Sequence, residues 1–218
     1  MQKKLEVGII GMGKFGQPLA RTLLDNGHGV VALDRSETRV RQLQDDLPHI
    51  YAADATDIGV LQQLRFQDLD AVIVSVGGSM EASILVTLNL QEVGARRLYV
   101  KAVSNEHRKV LNRLGVDYVI QPEHDVATQL AHRLANPGML DLLPFGGGVL
   151  LQEFTVDSWA GKTLLDLKLS NESGVMVVAI RYIGEREYTL VPSADRPLVK
   201  GDIMVVIGKV DDVARLKP

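Results

Sequence analysis

Gly11-Met12-Gly13-Lys14-Phe15-Gly16 is a G-x-G-x-x-G run set between a strand-like stretch, Leu5 to Ile10, and a helix-like one. Glycines at this spacing suit phosphate binding. The first permits a tight turn, the second lets the backbone approach an anion, and the third lets a helix lie close to a strand. A helix N-terminus adds free N–H groups and a partial positive charge. Asp34 ends the next strand-like run, near the spacing of about 20 residues that the pattern requires. A carboxylate there accepts hydrogen bonds from ribose hydroxyls and disfavours a 2′-phosphate; Arg35 beside it would soften that preference. The chemistry expected is recognition of an adenine nucleotide through its ribose and phosphates. The plain alternative is a glycine-rich turn with no ligand.

Further candidates lie at later strand ends. Asp54-Ala55-Thr56 follows a third short strand, either lining the adenine or ribose side of a crevice or forming an Asx turn with Thr56 or Asp57 capping the next helix. Ser75-Val76-Gly77-Gly78-Ser79 follows a fourth strand. Val76 and Gly77 are small enough for a nucleotide to lie against them, or the segment is a turn capped by Ser79. Lys14 in the loop would contact a terminal phosphate; Lys101 at a fifth strand end is functional or merely solvated, and Glu123 in a first helical turn is functional or simply favours the helix dipole. The histidines, His28, His49, His107, His124 and His132, form no H-x-x-x-H or H-E-x-x-H pair. No nucleophile, base and oxyanion donor stand out together.

The positioning elements follow from periodicity. Strands are expected at Leu5–Ile10, Gly29–Asp34, Ile50–Ala53, Ala71–Val76, Leu98–Lys101 and Tyr118–Ile120. Helices fill the intervals, at Lys14–Asn26, from Ser36 to about Asp46, from about Asp57, at Met80–Val93 and at Asn105–Leu114, with a last one from Glu123 to Ala135. Alternation with short loops implies an α/β fold, a Rossmann-type doubly wound parallel sheet. The pattern breaks at Asn136-Pro137-Gly138 and again at Gly146-Gly147-Gly148. Residues 1–135 are thus expected to form the nucleotide-binding domain and 136–148 a connector, too apolar for a flexible linker and packed against something, such as another subunit. Residues 149–218 would form a small α+β lobe, with strands near Val149–Val156, Val175–Arg181, Tyr188–Val191 and Ile203–Ile207 and helices near Leu164–Leu169 and Asp211–Leu216. A lobe of about 70 residues has a marginal core, for which association is a common remedy.

Composition narrows the classes. A net charge of -3 gives no bulk electrostatic case for nucleic acid or an anionic membrane. With no cysteine there is no disulfide, thiolate metal site or cysteine nucleophile, which fits a reducing cytosol. No apolar run approaches the 20 or so residues needed to span a bilayer, and the N-terminus does not read as a signal peptide. Any membrane role is expected to come through a partner, without direct insertion.

Taken together, these motifs resemble the RCK (or KTN) regulators of potassium conductance, the cytosolic subunits of Trk/Ktr-type potassium uptake systems. The resemblance runs through Val7 to Gly16, Asp34, Asp54-Ala55-Thr56, Val72 to Gly77, Val100-Lys101-Ala102, Leu114 to Asp117 and Ile120 to Glu123. In the small lobe it runs through Gly161 to Leu164, Gly174 to Ile180 and Lys200-Gly201-Asp202. It implies a non-enzymatic gating protein that binds NAD(H), ATP or ADP. Such chains dimerise and assemble, often as an octameric ring, at the cytoplasmic face of a membrane pore subunit. By position, Asp34 would hold the ribose, Asp54, Ala55 and Thr56 the adenine side, and Lys101 the phosphates. Glu123 would approach the terminal phosphate of a neighbouring subunit's nucleotide, with Mg²⁺ or another cation. Many ATP-responsive members carry arginine where this chain has Lys14. Lysine is a point charge without a bidentate fork, so the resemblance does not extend to discrimination of ATP from ADP by this residue. Some of the family's C-terminal lobes bind cyclic di-AMP at a dimer interface; no residue here is assigned to such a site. Two rival readings are a small NAD(H)-dependent oxidoreductase and the regulatory domain of a cation antiporter.

Overall fold

Strands whose side chains are apolar on both faces must be covered on both faces, and β1 (Glu6–Ile10) and β4 (Ala71–Val74) are of this kind: every position but Glu6 is buried. They are the central strands of a six-stranded sheet in the computed structural model, which describes residues 3–135, 138–143 and 148–218. Contacts divide the chain into two units, Met1–Pro122 and Glu123–Pro218.

In the first unit the order of elements is β1, α1 (Gly16–Asp25), β2 (Gly29–Asp34), α2 (Glu37–Leu43), β3 (Ile50–Ala52) and α3 (Ile58–Gln63). A 3-10 turn at Phe66–Asp68 leads into β4, α4 (Met80–Glu92), β5 (Leu98–Lys101), α5 (Asn105–Arg113) and β6 (Tyr118–Ile120). All pairings are parallel, in the order β3-β2-β1-β4-β5-β6. Alternating side chains split the core into two layers. Val7, Ile9, Val30 and Ala32 pack with Ala20 of α1 and Leu43 of α2. Ile10, Leu33, Val72 and Val74 pack with Leu61 of α3, Val86 and Leu90 of α4 and Leu111 of α5. The winding direction reverses between β1 and β4, which opens a crevice at their carboxyl ends.

Side-chain caps fix most helix starts. The side-chain oxygens of Ser36, Asp57, Ser79 and Ser104 accept from backbone N–H groups of α2, α3, α4 and α5 at 3.3, 2.8, 3.1 and 3.1 Å. Thus Asp57, not Thr56, caps α3 and Ser79 caps α4.

The second unit holds α6 (Pro122–Ala135), β7 (Met139–Leu142), β8 (Val149–Thr155), α7 (Leu164–Leu167), α8 (Leu169–Glu172), β9 (Met176–Arg181), β10 (Thr189–Leu190), β11 (Ile203–Lys209) and α9 (Val210–Val213). Its sheet is antiparallel, ordered β10-β9-β11-β8-β7. Part of the expected connector is therefore a strand. Met139–Leu142 pairs with β8 at the sheet edge and buries Met139, which accounts for its apolar composition. The breaks expected at Asn136-Pro137 and Gly146-Gly147 lie outside the described residues. The helix expected over Leu164–Leu169 ends at Leu167 and a second begins at Leu169, because Lys168 takes a left-handed φ of 45° between them. The core gathers Leu150, Val156, Val175, Ile180, Leu198, Met204 and Val206, with half-buried Trp159 packed against it. Buried Asp202 accepts from the N–H groups of Ile183 and Val199 at 2.9 and 2.8 Å, tying two loops to β11.

Candidate functional site

The chain leaves β1 at Ile10 and turns at Gly11, whose φ of +95° suits only glycine. Gly11 N–H donates to Leu33 O at 2.8 Å, and Ser75 Oγ donates to Gly11 O at 2.6 Å, so the turn is fixed to both β2 and the end of β4. The three glycines differ in what surrounds them. A Cβ on Gly11 would stand 2.8 Å from Ser75 O, and one on Gly16 would stand 2.1 Å from Gly11 O. A Cβ on Gly13 would meet nothing within 4 Å among the described residues. The first and third glycines therefore serve packing, whereas the second faces open space. Helix α1 begins at this loop, and among the described residues no side chain caps it. Within α1, Gln17 N–H donates to Gly13 O at 3.1 Å, Leu19 N–H donates to Phe15 O at 3.3 Å and Pro18 has no N–H, so an external acceptor is offered the loop that precedes Gln17.

Asp34 closes β2 beside the loop and is 5% exposed. One carboxylate oxygen accepts from Met12 N–H at 2.7 Å and the other from Ser36 N–H at 2.8 Å. Arg39 Nη1 lies 2.9 and 3.0 Å from the two oxygens. Burial alone would raise the Asp34 pKa. The Ser36 and Met12 N–H groups and the Arg39 guanidinium outweigh it, so the carboxyl sits below the usual range and is ionised.

A crevice of about 500 Å³ opens between these parts. Of the residues singled out from sequence, it is lined by Gly11, Gly13, Asp34, Arg35, Asp54, Ala55, Thr56, Val76 and Gly77. Met12 and Gly16 are buried in the loop that supports it. Lys14 is exposed on that loop. Lys101, at the end of β5, stands 6.0 Å from the centre of the Phe15 ring, so these two are brought together. Glu123 opens α6 in the second unit. Asp54 makes the Asx turn, accepting from the N–H and hydroxyl of Thr56 at 2.9 and 2.8 Å. Those bonds, with the Arg35 charge, lower its pKa. Arg35 thus acts on Asp54, and the guanidinium on Asp34 is that of Arg39. Sequence reasoning did not single out Arg39. Its signal is the Ser36 cap: the third residue of a capped helix turns back toward the cap, and Asp34 is next to it.

Leu33, Ile10 and Val86 supply apolar lining. The arrangement suits a ligand with an apolar ring, a diol and an anionic tail. Among the described residues, no three His, Asp or Glu side chains converge as a metal site, and no helix is long and apolar enough to cross a membrane.

Comparison with known proteins agrees with this anatomy. Residues 7–122 match the TrkA-N domain family and residues 151–218 the TrkA-C domain family. The chain is 36% identical to the Ktr system potassium uptake protein C of Bacillus subtilis over 215 residues, 98% of this chain and 96% of that one. It is 33% identical to the Ktr system potassium uptake protein A of Vibrio alginolyticus over 210 residues, 96% and 94% of the two chains. Among solved structures, the GsuK channel bound to NAD shares the fold, with a TM-score of 0.56 and 21% identity over 98% of this chain and 38% of that one. The chain is a member of the two-part TrkA-N/TrkA-C family, the family of the Ktr potassium uptake proteins.

Proposed function

We propose that this protein is a cytoplasmic regulatory subunit that holds an adenine nucleotide in the β1–β4 crevice and gates a membrane potassium transporter or channel. One observation carries the reading. An uncapped glycine loop with open space at Gly13 stands beside a buried, ionised Asp34. That pairing offers donors to phosphate and acceptors to ribose, the two needs of a nucleotide. NAD(H) is one ligand class, supported by the NAD-bound relative in fold; ATP and ADP, with Mg²⁺ or another cation, are the other. Asp34 takes the ribose, and Asp54, Ala55 and Thr56 take the adenine side. Lys14 and Lys101 serve the phosphates, and Glu123 serves the terminal phosphate, or its cation, of a neighbouring subunit's nucleotide. The site is read as a sensor and not as a catalyst. Among its described lining residues there is no histidine, and its carboxylates are engaged in hydrogen bonds.

The protein is also proposed to self-associate, as dimers within an octameric ring lying against the cytoplasmic face of its pore partner. Helix α6 supports association. None of its residues is buried, and Val126, Leu130 and Leu134 form an apolar stripe at 62, 55 and 77% exposure. Fourteen residues with nothing buried do not make a stable helix in water, so a covering surface is required. Gating then needs a coupling energy, typically about 1–3 kcal/mol, between nucleotide and ring shape. A ligand with equal affinity for both shapes gates nothing.

Calorimetric titration with NADH, NAD, ATP and ADP, with and without Mg²⁺, tests the site. Binding of at least one without turnover is expected, and binding of none would remove the mechanism. Light scattering should give a mass well above the monomer, and a concentration-independent monomer would refute the ring.

A further inference from the structure

A carboxylate has about four acceptor positions, two per oxygen. At Asp34 all are engaged. One oxygen takes Met12 N–H and Arg39 Nη1 at 2.7 and 2.9 Å; the other takes Ser36 N–H and Arg39 Nη1 at 2.8 and 3.0 Å. A single guanidinium nitrogen straddles the two oxygens. That is the position two adjacent hydroxyls of a ribose would take, so diol and Arg39 cannot both have it.

The donors around Asp34 are not equally movable. Met12 N–H belongs to a loop whose side chain is fully buried, and Ser36 N–H belongs to the turn whose hydroxyl caps α2. Displacing either would deform the backbone. The Arg39 side chain, by contrast, is 43% exposed against 4% for Asp34, and a guanidinium turning outward regains water. Arg39 also lines the crevice, so it remains within reach of a bound ligand after it moves.

We propose that Arg39 is a latch on the ribose carboxylate: it competes with the ribose diol for Asp34 and thereby sets how strongly the crevice prefers a 2′-hydroxyl over hydrogen or phosphate at that carbon. The proposal rests on the reading that a nucleotide ribose binds Asp34. Two consequences follow. Each diol bond replaces a bond to Arg39, so the 2′-hydroxyl contributes less to affinity than it would on a bare carboxylate. A 2′-phosphate, repelled by Asp34, meets a displaced arginine as compensation. Arg39 thus narrows discrimination on both sides.

The test compares the full-length protein with Arg39→Met and Arg39→Gln, both of which keep the stem and lose the charge. Calorimetry would measure ADP against 2′-deoxy-ADP and NADH against NADPH. The expected result is that both ratios widen in the variants by about tenfold, equivalent to about 1.4 kcal/mol. A residue with only a structural role would weaken both members of each pair alike. Unchanged or narrowed ratios in variants with wild-type circular dichroism would therefore overturn the latch while leaving the nucleotide site standing. If the wild-type protein binds none of the four ligands, the nucleotide reading fails and the latch fails with it.

Discussion

Gly13 and Gly16 belong to one motif, yet alanine should act on them in opposite ways. At Gly16 the added Cβ would sit 2.1 Å from Gly11 O, well inside contact distance, and the atom it meets is backbone that cannot swing aside. Relief requires α1 to move away from the β1 turn by more than an ångström, against the packing of Ala20 and the bond from Ser75 to Gly11 O. Overpacking of this kind costs about 1–3 kcal/mol, and a clash against a backbone oxygen belongs at the upper end. At about 3 kcal/mol, Gly16→Ala should lower the unfolding temperature of this unit by roughly 10 °C. At Gly13 the same methyl meets nothing within 4 Å among the described residues, and φ is not positive. Stability should be unchanged or raised by about 0.4–1 kcal/mol through the unfolded chain. The methyl instead occupies the approach of a phosphate. Losing one charge-assisted bond of about 1.5–3 kcal/mol weakens nucleotide binding by roughly 10- to 150-fold. Thermal unfolding without ligand and calorimetry with ADP and NADH give the two readouts. Wild-type affinity in Gly13→Ala would refute the phosphate approach, and wild-type stability in Gly16→Ala would refute the packing argument.

Asp34→Asn should cost about 2–3 kcal/mol of stability and at least about tenfold in affinity. Each oxygen accepts a backbone N–H, so the amide NH₂ opposes a donor whichever way it turns; a variant as stable as wild type in thermal melts would contradict this. Asp202→Ala should destabilise the second unit by roughly 3 kcal/mol, two bonds to a charge at about 1.5 each, seen as an early transition in denaturant. His107 is buried, accepts from Val103 N–H at 3.2 Å, and has its pKa lowered by burial, so it folds neutral. Protonation favours the unfolded chain, so stability should fall as pH drops through the ordinary histidine value of about 6.5, and His107→Gln should flatten that slope. An equal slope in the variant would assign it to other groups.

The first unit was legible because its signals are local and agree with one another. The buried runs of β1 and β4 fall where apolar content is continuous, and Gly29–Asp34, Leu98–Lys101 and Tyr118–Ile120 are strands over the residues expected. Ser36 and Ser79 cap helices as their types suggest. Less legible were features set by tertiary partners. Met139–Leu142 carries no alternation that separates a strand from an apolar connector, and only its pairing with β8 decides. The division of Leu164–Leu169 depends on a left-handed lysine, which no propensity favours. Within the site, the glycines and Asp34 were visible as a motif with fixed spacing. Arg39 was not, because an arginine five residues after an aspartate has no fixed meaning until the turn between them is known.

The chain has a single tryptophan, Trp159, and it packs on the core of the second unit, whereas the nucleotide crevice lies entirely in the first. Its fluorescence is thus a reporter placed on the unit that does not hold the ligand. When denaturant is added, that emission follows loss of the second unit's core, while circular dichroism follows the helices of both units, the larger share of them in the Rossmann unit. A nucleotide that raises the midpoint of the circular dichroism transition only has its binding energy confined to the first unit. A nucleotide that raises the tryptophan midpoint as well has that energy delivered across the chain, which is the thermodynamic requirement for one half of the protein to report to the other.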